Sequence, residues 1–298
     1  MAANPDSRIV VAPDGVRLAV FQAGPPAAAP VVLVHGYPDT HAVWDLVAAR
    51  LATSWRVVSY DVRGAGASDH PDGRAAYRLD RLTDDFAAVC DAVSPQRPVH
   101  LVGHDWGGIQ GWAFATSPRL AGRIASFTTI AGPALEHGLR ANREPLRRGH
   151  LGEWWSHARR SWYIAVLCLP GGPWLTWRVL MAGGRWRWAL ERLDRVPVGS
   201  GYPAATAPDD GLAGANLYRA NIPRMLIRPA PPIARAHAPV QVIVPERDRF
   251  ISPRYYDAAA AAAPELRRET VPGSHWAPRE QADALAALIT GFAAEHGG

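Results

Sequence analysis

The sequence predicts an α/β protein: a mostly parallel sheet flanked by helices and interrupted by an inserted helical cap. Three observations predict it. Short β-branched runs alternate with amphipathic stretches up to about residue 132, the rhythm stops near residue 133, and it resumes at VQVIV (240–244). At 298 residues the chain has room for one sheet-centred domain carrying an insertion. The expected organisation is a split core, 1–132 and 236–298, around a cap at 133–235.

Taken in order, RIVVA, VRLAVF, VVLVHG and RVVSYD read as the first four strands, LTDDFAAVCDAV as a helix, and VHLVGHD as the next strand. IASFTTIAGP closes this series. The following stretch is rich in Trp, Arg, Pro and Gly, and its periodicity is helical at best. After VQVIV come an Ala-rich helix that includes Ala258 to Ala263, the strand RRETVPG and a closing helix, QADALAALITGFAAE. There is no internal repeat.

Composition removes several function classes. The chain is 48% hydrophobic and 20% charged, with no apolar run long enough to cross a membrane, so no membrane insertion is expected. MAANPDSRIVVAPDG lacks the apolar core of a signal peptide, which makes the expected location cytoplasmic. Cys90 and Cys168 are too few for a disulfide framework and are expected as reduced core residues. The formal charge of +5 comes from scattered arginines with no lysine at all, which argues against a nucleic-acid partner. Without lysine there is no Schiff base and no P-loop cation. Neither a zinc-type histidine motif nor a dinucleotide glycine fingerprint is present, so no cofactor or metal is expected.

The chemistry is concentrated in three short stretches. In LVGHDWGG (101–108), Gly103 and Gly107 flank Asp105 at the spacing of the G-x-S-x-G nucleophile elbow, with a carboxylate in the serine's place. A lone Asp at a helix start is more often an N-cap. PERDRF shifts that balance by setting Asp248 just beyond a strand, with Glu246 and Asp257 as alternative acids, and GSHW sets His275 in the next strand-end loop. His275 is one of eleven histidines, but the chain order Asp105, Asp248, His275 is that of a nucleophile, acid, histidine triad.

These motifs, with HGYP at 35–38 and DVRGAGASD at 61–69, resemble the α/β-hydrolases with an aspartate nucleophile, and within them the epoxide hydrolases, closest to actinobacterial epoxide-hydrolase-like proteins. The resemblance covers nearly the whole chain. It implies an α/β-hydrolase fold and an oxyanion hole made by the backbone N–H groups of Tyr37 and Trp106. It also implies two cap tyrosines acting as acids: SWYIAVLCLPG points to Tyr163 and ANLYRANI to Tyr218, with Tyr202 in SGYPA as the fallback. His35 and Pro38 are expected mainly to shape their buried loop, and with Trp186 and Trp276 they complete the candidates for the substrate pocket.

A carboxylate can attack a saturated carbon and leave an alkyl ester on the enzyme. Water deprotonated by His275, itself oriented by Asp248, then hydrolyses the ester at the Asp105 carbonyl carbon, where each oxyanion donor is worth about 3 kcal/mol. An epoxide leaves an alkoxide that needs a proton, and tyrosine, with an ordinary pKa of about 10, remains protonated to supply it.

The main alternative is a haloalkane-type dehalogenase, which shares the aspartate and often the following tryptophan. Tyr37 stands where such enzymes commonly carry asparagine, but the cap has tryptophans enough to bind halide. A third reading, a catalytically idle small-molecule binding protein, is opposed by the complete triad. Trp154, Trp155, Trp162, Trp174, Trp177, Trp186 and Trp188 are expected mostly to build a cap core, with no more than about two facing the pocket, and RWRW is alternatively an exposed stacked ridge. The expected partner is a bulky apolar or aromatic epoxide; the oligomeric state is open, a homodimer included.

Overall fold

The computed structural model describes residues 6–199, 201–226 and 233–297; residues 200 and 227–232 of the predicted cap lie outside the described residues. Eight strands form one sheet: β1 (Asp6–Val11), β2 (Arg17–Ala23), β3 (Pro30–Val34), β4 (Arg56–Tyr60), β5 (Val99–His104), β6 (Ile124–Ile130), β7 (Val240–Pro245) and β8 (Leu266–Val271). Their order is β1-β2-β4-β3-β5-β6-β7-β8. The β1 and β2 edge is antiparallel, and every pairing from β4 to β8 is parallel. All eight coincide with the runs expected from the sequence.

Helices cover both faces of the sheet, so the central strands β3, β5 and β7 are buried along their whole length and read as near-continuous apolar runs. Alternate side chains enter two separate cores. Val32, Val34 and Leu101 pack with Phe86 of α2 (Leu79–Val93) and Trp112 of α3 (Trp106–Ala115). Val31, Leu33 and Val102 pack on the other face with Val47 and Leu51, from the helix α1 (Asp45–Leu51), and with Leu285 and Ile289 near the C-terminus. Each such side chain, fully removed from water, contributes about 1.5–3 kcal/mol.

Between β6 and β7 the elements are helical: α4 (Leu135–Arg147), α5 (Leu151–Ala158), α6 (Trp162–Cys168), the short α7 (Gly172–Trp174) running into a π-helical stretch (Leu175–Leu180), α8 (Arg185–Leu193) and α9 (Ala207–Leu226). Pro170 ends α6 by forcing Leu169 into an extended conformation. Beyond β7 lie α10 (Ala259–Ala262), α11 (Ala277–Glu280) and α12 (Ala282–Glu295), the last carrying the Leu285 and Ile289 of the second core.

The expected cap core of tryptophans is not what this insertion builds. Trp177 is buried against Gly211 of α9, but Trp155, Trp162, Trp174 and Trp188 are exposed among the described residues. RWRW is no stacked ridge either: Trp186 turns inward against Trp177 and Trp276, Trp188 points out, and Arg185 hydrogen-bonds the backbone carbonyl groups of Val179 and Leu180.

Candidate active site

The loops that follow the carboxyl ends of parallel strands converge here, as ligand sites in open α/β sheets do. Asp105 ends β5 in a left-handed conformation (φ 51°, ψ −120°), a geometry that costs a non-glycine residue about 1–3 kcal/mol. It persists because the backbone is tied on both sides: the Asp105 N–H donates to Ile130 O at 3.0 Å, and its carbonyl accepts from the Ile109 N–H at 3.0 Å. Glycine is required at 107 because any Cβ there would run into the Val34 carbonyl. Asp105 occupies the N-cap position of α3 but makes no side-chain cap hydrogen bond, so its carboxylate is left for other partners.

Those partners come from three other loops. The Tyr37 N–H, after β3, donates to Asp105 Oδ1 at 2.8 Å, and His275 Nε2, after β8, lies 3.4 Å from Asp105 Oδ2. His275 Nδ1 is 2.9 Å from Asp248 Oδ2, while Asp248 Oδ1 accepts the N–H groups of Phe250 (2.7 Å) and Ile251 (2.9 Å). The alternative acids stand elsewhere: Glu246 is exposed and Asp257 pairs with Arg268. The second expected oxyanion donor, the Trp106 N–H, makes no hydrogen bond to Asp105 among the described residues.

Electrostatics make this trio a charged relay in the resting state. Burial pushes the Asp105 carboxyl up, but His275, His104 and the Tyr37 N–H outweigh it and hold it below the usual carboxylate range. For His275 burial acts downward, and the two flanking carboxylates overcome it, raising its pKa well above that of free imidazole. The neighbouring His104 is held down to about 4 by burial and by His275. It is therefore neutral, and its Nε2–H donates to the His275 carbonyl at 2.8 Å, fixing the backbone of the histidine loop. Sequence reasoning gave His104 no role, although it immediately precedes Asp105 in the elbow.

Above Asp105 is a cavity of about 580 Å³ between the sheet edge and the insertion. Tyr163 and Tyr218 both line it. Their rings meet edge-on at 6.0 Å, Tyr218 packs on Trp106 at 4.9 Å, and Tyr163 packs on Phe250, which in turn packs on His275 at 5.2 Å. Burial, with added repulsion from Asp105, drives both phenols well above pKa 10, so both remain proton donors. Phe250 is a residue the sequence reading missed; its only signal was proximity to Asp248. Two insertion tryptophans, Trp154 and Trp162, line the cavity, the number expected. Cys90 is buried, but Cys168, expected in the core, also lines this wall.

Four expected pocket residues lie outside these walls. His35 is committed to its loop, with Nδ1 against Gly36 O (2.8 Å) and Nε2 accepting the Val62 N–H (2.9 Å), and Pro38 belongs to the same buried turn. Trp276 donates from its indole to Asp39 Oδ2 at 3.1 Å, and Trp186 packs behind it. The fallback Tyr202 donates to Asp39 Oδ1 at 3.0 Å and lies under Arg279, away from the cavity. The polar atoms of His35, Trp276 and Tyr202 are taken by structural partners, and Trp186 packs against Trp276 and Trp177.

The insertion is tied to this edge by several polar contacts. Tyr37 OH donates to Gly211 O (2.9 Å) and accepts from the Trp177 indole (2.6 Å), and Arg160 donates to Asp248 O (2.9 Å). Among the described residues, no group of three or more His, Cys, Asp or Glu side chains is gathered to hold a metal ion, and no helix is long and apolar enough to cross a membrane.

Comparison with known proteins matches this geometry to relatives. The chain is 35% identical over 296 residues to the probable oxidoreductase EphD of Mycobacterium tuberculosis, covering 96% of this chain and 49% of that protein, so it spans about half the length of the curated relatives it matches there. Epoxide hydrolase A of the same organism is 40% identical over 124 residues, 41% of this chain and 37% of that protein. Among solved structures, an epoxide hydrolase of Bacillus megaterium in complex with an inhibitor superposes with a TM-score of 0.76 at 20% identity, over 96% of this chain and 99% of that one. A metagenomic epoxide hydrolase from hot environments gives 0.77 at 23% identity, over 96% and 98%. The alpha/beta hydrolase fold family matches residues 29–281, and with the sheet order, the strained elbow and the loops gathered at its edge, the chain belongs to that family.

Proposed function

We propose that the chain is an epoxide hydrolase that converts an apolar or aromatic epoxide to a vicinal diol through an ester on Asp105, with residues 133–235 acting as its cap. The observation that carries this reading is a single one: Asp105 faces His275 on one side and, on the other, a cavity lined by two protonated tyrosines. A carboxylate poised over neutral acids is suited to attack carbon while a departing oxygen takes a proton.

Asp105 Oδ1 is held by the Tyr37 N–H, which leaves Oδ2 to attack an epoxide carbon as the carbon–oxygen bond opens and Tyr163 or Tyr218 protonates the oxygen. Esterification abolishes the negative charge of Asp105, one of the two charges that keep the imidazolium protonated. The imidazolium proton passes through water to the tyrosinate left by the first step, which restores the phenol and leaves His275 a competent base. His275 takes a proton from water attacking the Asp105 carbonyl carbon, Asp248 stabilises the imidazolium, and Tyr37 N–H stabilises the oxyanion on Oδ1. Collapse releases the diol, which takes its second hydroxyl proton from His275, and the carboxylic acid left at Asp105 passes its proton to His275, restoring the resting carboxylate and imidazolium.

A dehalogenase remains the second reading because the Trp106 indole, directed toward Tyr218, stands beside the same cavity and is a donor suited to a halide. Intact-protein mass spectrometry of His275→Ala distinguishes the two. Incubation with aryl and alkyl epoxides should add the whole epoxide mass to Asp105. A haloalkane adduct formed with loss of halide, and no epoxide adduct, overturns the epoxide reading.

A further inference from the structure

The outer layer of the insertion poses a problem the reaction does not explain. Apart from Ile9 and Val11, every exposed large apolar side chain among the described residues belongs to the insertion. The inner sides of α6, α7 and the π-helical stretch pack on α9, through Leu167 and Trp177, and α8 joins them through Trp186 against Trp177. Their outer sides present Trp162 and Leu169, then Trp174, Leu175, Val179 and Leu180, then Trp188. An unpartnered apolar surface of this extent marks an interaction site.

Its composition selects the partner. Between Arg147 and Arg192 the sequence carries eight arginines and only two acidic residues, Glu153 and Glu191; Arg148, Arg178 and Arg187 pair with Glu144, Asp209 and Glu191, and Arg160 turns inward to the Asp248 carbonyl, so the positive excess rests on Arg147, Arg159, Arg185 and Arg192. Protein interfaces deplete charge at their centres, and two copies of this face would set like charges together. Exposed indoles interleaved with arginines instead match the boundary of an anionic bilayer, where the rings sit at headgroup level and the guanidinium groups meet phosphate. The cavity mouth points the same way, since Trp162 and Leu226 line the cavity and are also 65% and 61% exposed.

We propose that the outer layer of the insertion seats on an anionic lipid surface, without crossing it, so that the cavity mouth opens onto the phase in which an apolar substrate dissolves. The seating stands on the exposed face alone; the delivery of substrate rests on the reading of the site as an epoxide hydrolase.

Flotation with phosphatidylcholine vesicles, with and without about one-third phosphatidylglycerol, tests the seating without any turnover. The protein is expected to float with the anionic vesicles only and to be released by high salt, as screened charges require. The triple variant Trp155→Ser, Trp174→Ser, Trp188→Ser should bind about tenfold or more weakly, whereas the same three positions changed to Phe should retain most binding. The Ser variant should hydrolyse a water-soluble epoxide at the parent rate and lose rate only on an epoxide dissolved in vesicles. Absence of flotation with anionic vesicles overturns the proposal, as does a dimer in light scattering that the Ser variant dissociates while vesicle binding stays absent. Flotation without turnover of any epoxide would leave the seating intact and overturn the delivery of substrate together with the epoxide reading.

Discussion

At the carboxyl edge of the sheet, Asp105, Asp248 and His275 are all buried, and their loops are held by backbone hydrogen bonds to neighbouring strands and loops. Across the cavity, the insertion supplies Tyr218 from the largely covered α9 and Tyr163 from α6, which also carries the exposed Trp162. One side holds charges in fixed positions; the other supplies neutral acids and apolar walls. The difference teaches that charged chemistry needs a scaffold able to repay desolvation with hydrogen bonds from fixed backbone, whereas proton donors that stay neutral are held by aromatic packing and by hydrogen bonds among themselves.

The sharpest break between the two sides comes from Asp105, the proposed nucleophile. Asp105→Ala should lower kcat for diol formation by about 10⁴-fold or more, and a loss below about 100-fold would remove the carboxylate from the chemistry. The scaffold itself is tested next. Phe86→Ala removes a ring stacked on Phe114 at 4.5 Å and should cost about 3–5 kcal/mol in urea unfolding.

On the insertion side, Tyr163→Phe and Tyr218→Phe should each reduce kcat on epoxides by about 10²-fold without moving the unfolding midpoint. Equal activity of either variant on epoxides would deny that tyrosine the acid's role. A smaller effect concerns the link between the two sides. Burial, only partly offset by hydrogen bonds from Tyr202 and Trp276, raises the Asp39 carboxyl to about 7. The folded protein therefore holds this proton more tightly than the unfolded chain does. The resulting stability is present below the ordinary carboxylate range and is lost as pH rises through about 7. Asp39→Asn should flatten the fall in Tm between about pH 5 and pH 8, and an unchanged slope would assign the titration elsewhere. The smallest effect is at the outer layer: Leu180→Ala should change stability by no more than about 0.5 kcal/mol, in contrast with the Phe86 variant.

The two sides also differed in how far the sequence revealed them. The central strands were legible because a buried parallel strand must be an unbroken apolar run, and the edge strands β1 and β8 because short β-branched segments bounded by turn residues mark them. Asp105, Asp248 and His275 were legible because each follows a strand at a fixed spacing, and the structure brings the three together. The tryptophans were not. Helical periodicity says which side chains share a face but not whether anything covers that face, so a cap core was expected where an exposed layer is found. His35 and Trp276 stood close to the motifs in sequence, yet a motif does not disclose which polar atoms are already satisfied.

The amino-acid sequence alone determined the layered α/β architecture and which residues follow each strand, since both depend on short-range pattern and stereochemistry. Only the tertiary structure decided the electrostatic and spatial facts: the 3.4 Å approach of His275 to Asp105, the neutrality of His104, and the bare outer layer of the insertion. These arise between segments far apart in the chain, through burial and proximity, and no local pattern encodes how much water a side chain loses on folding.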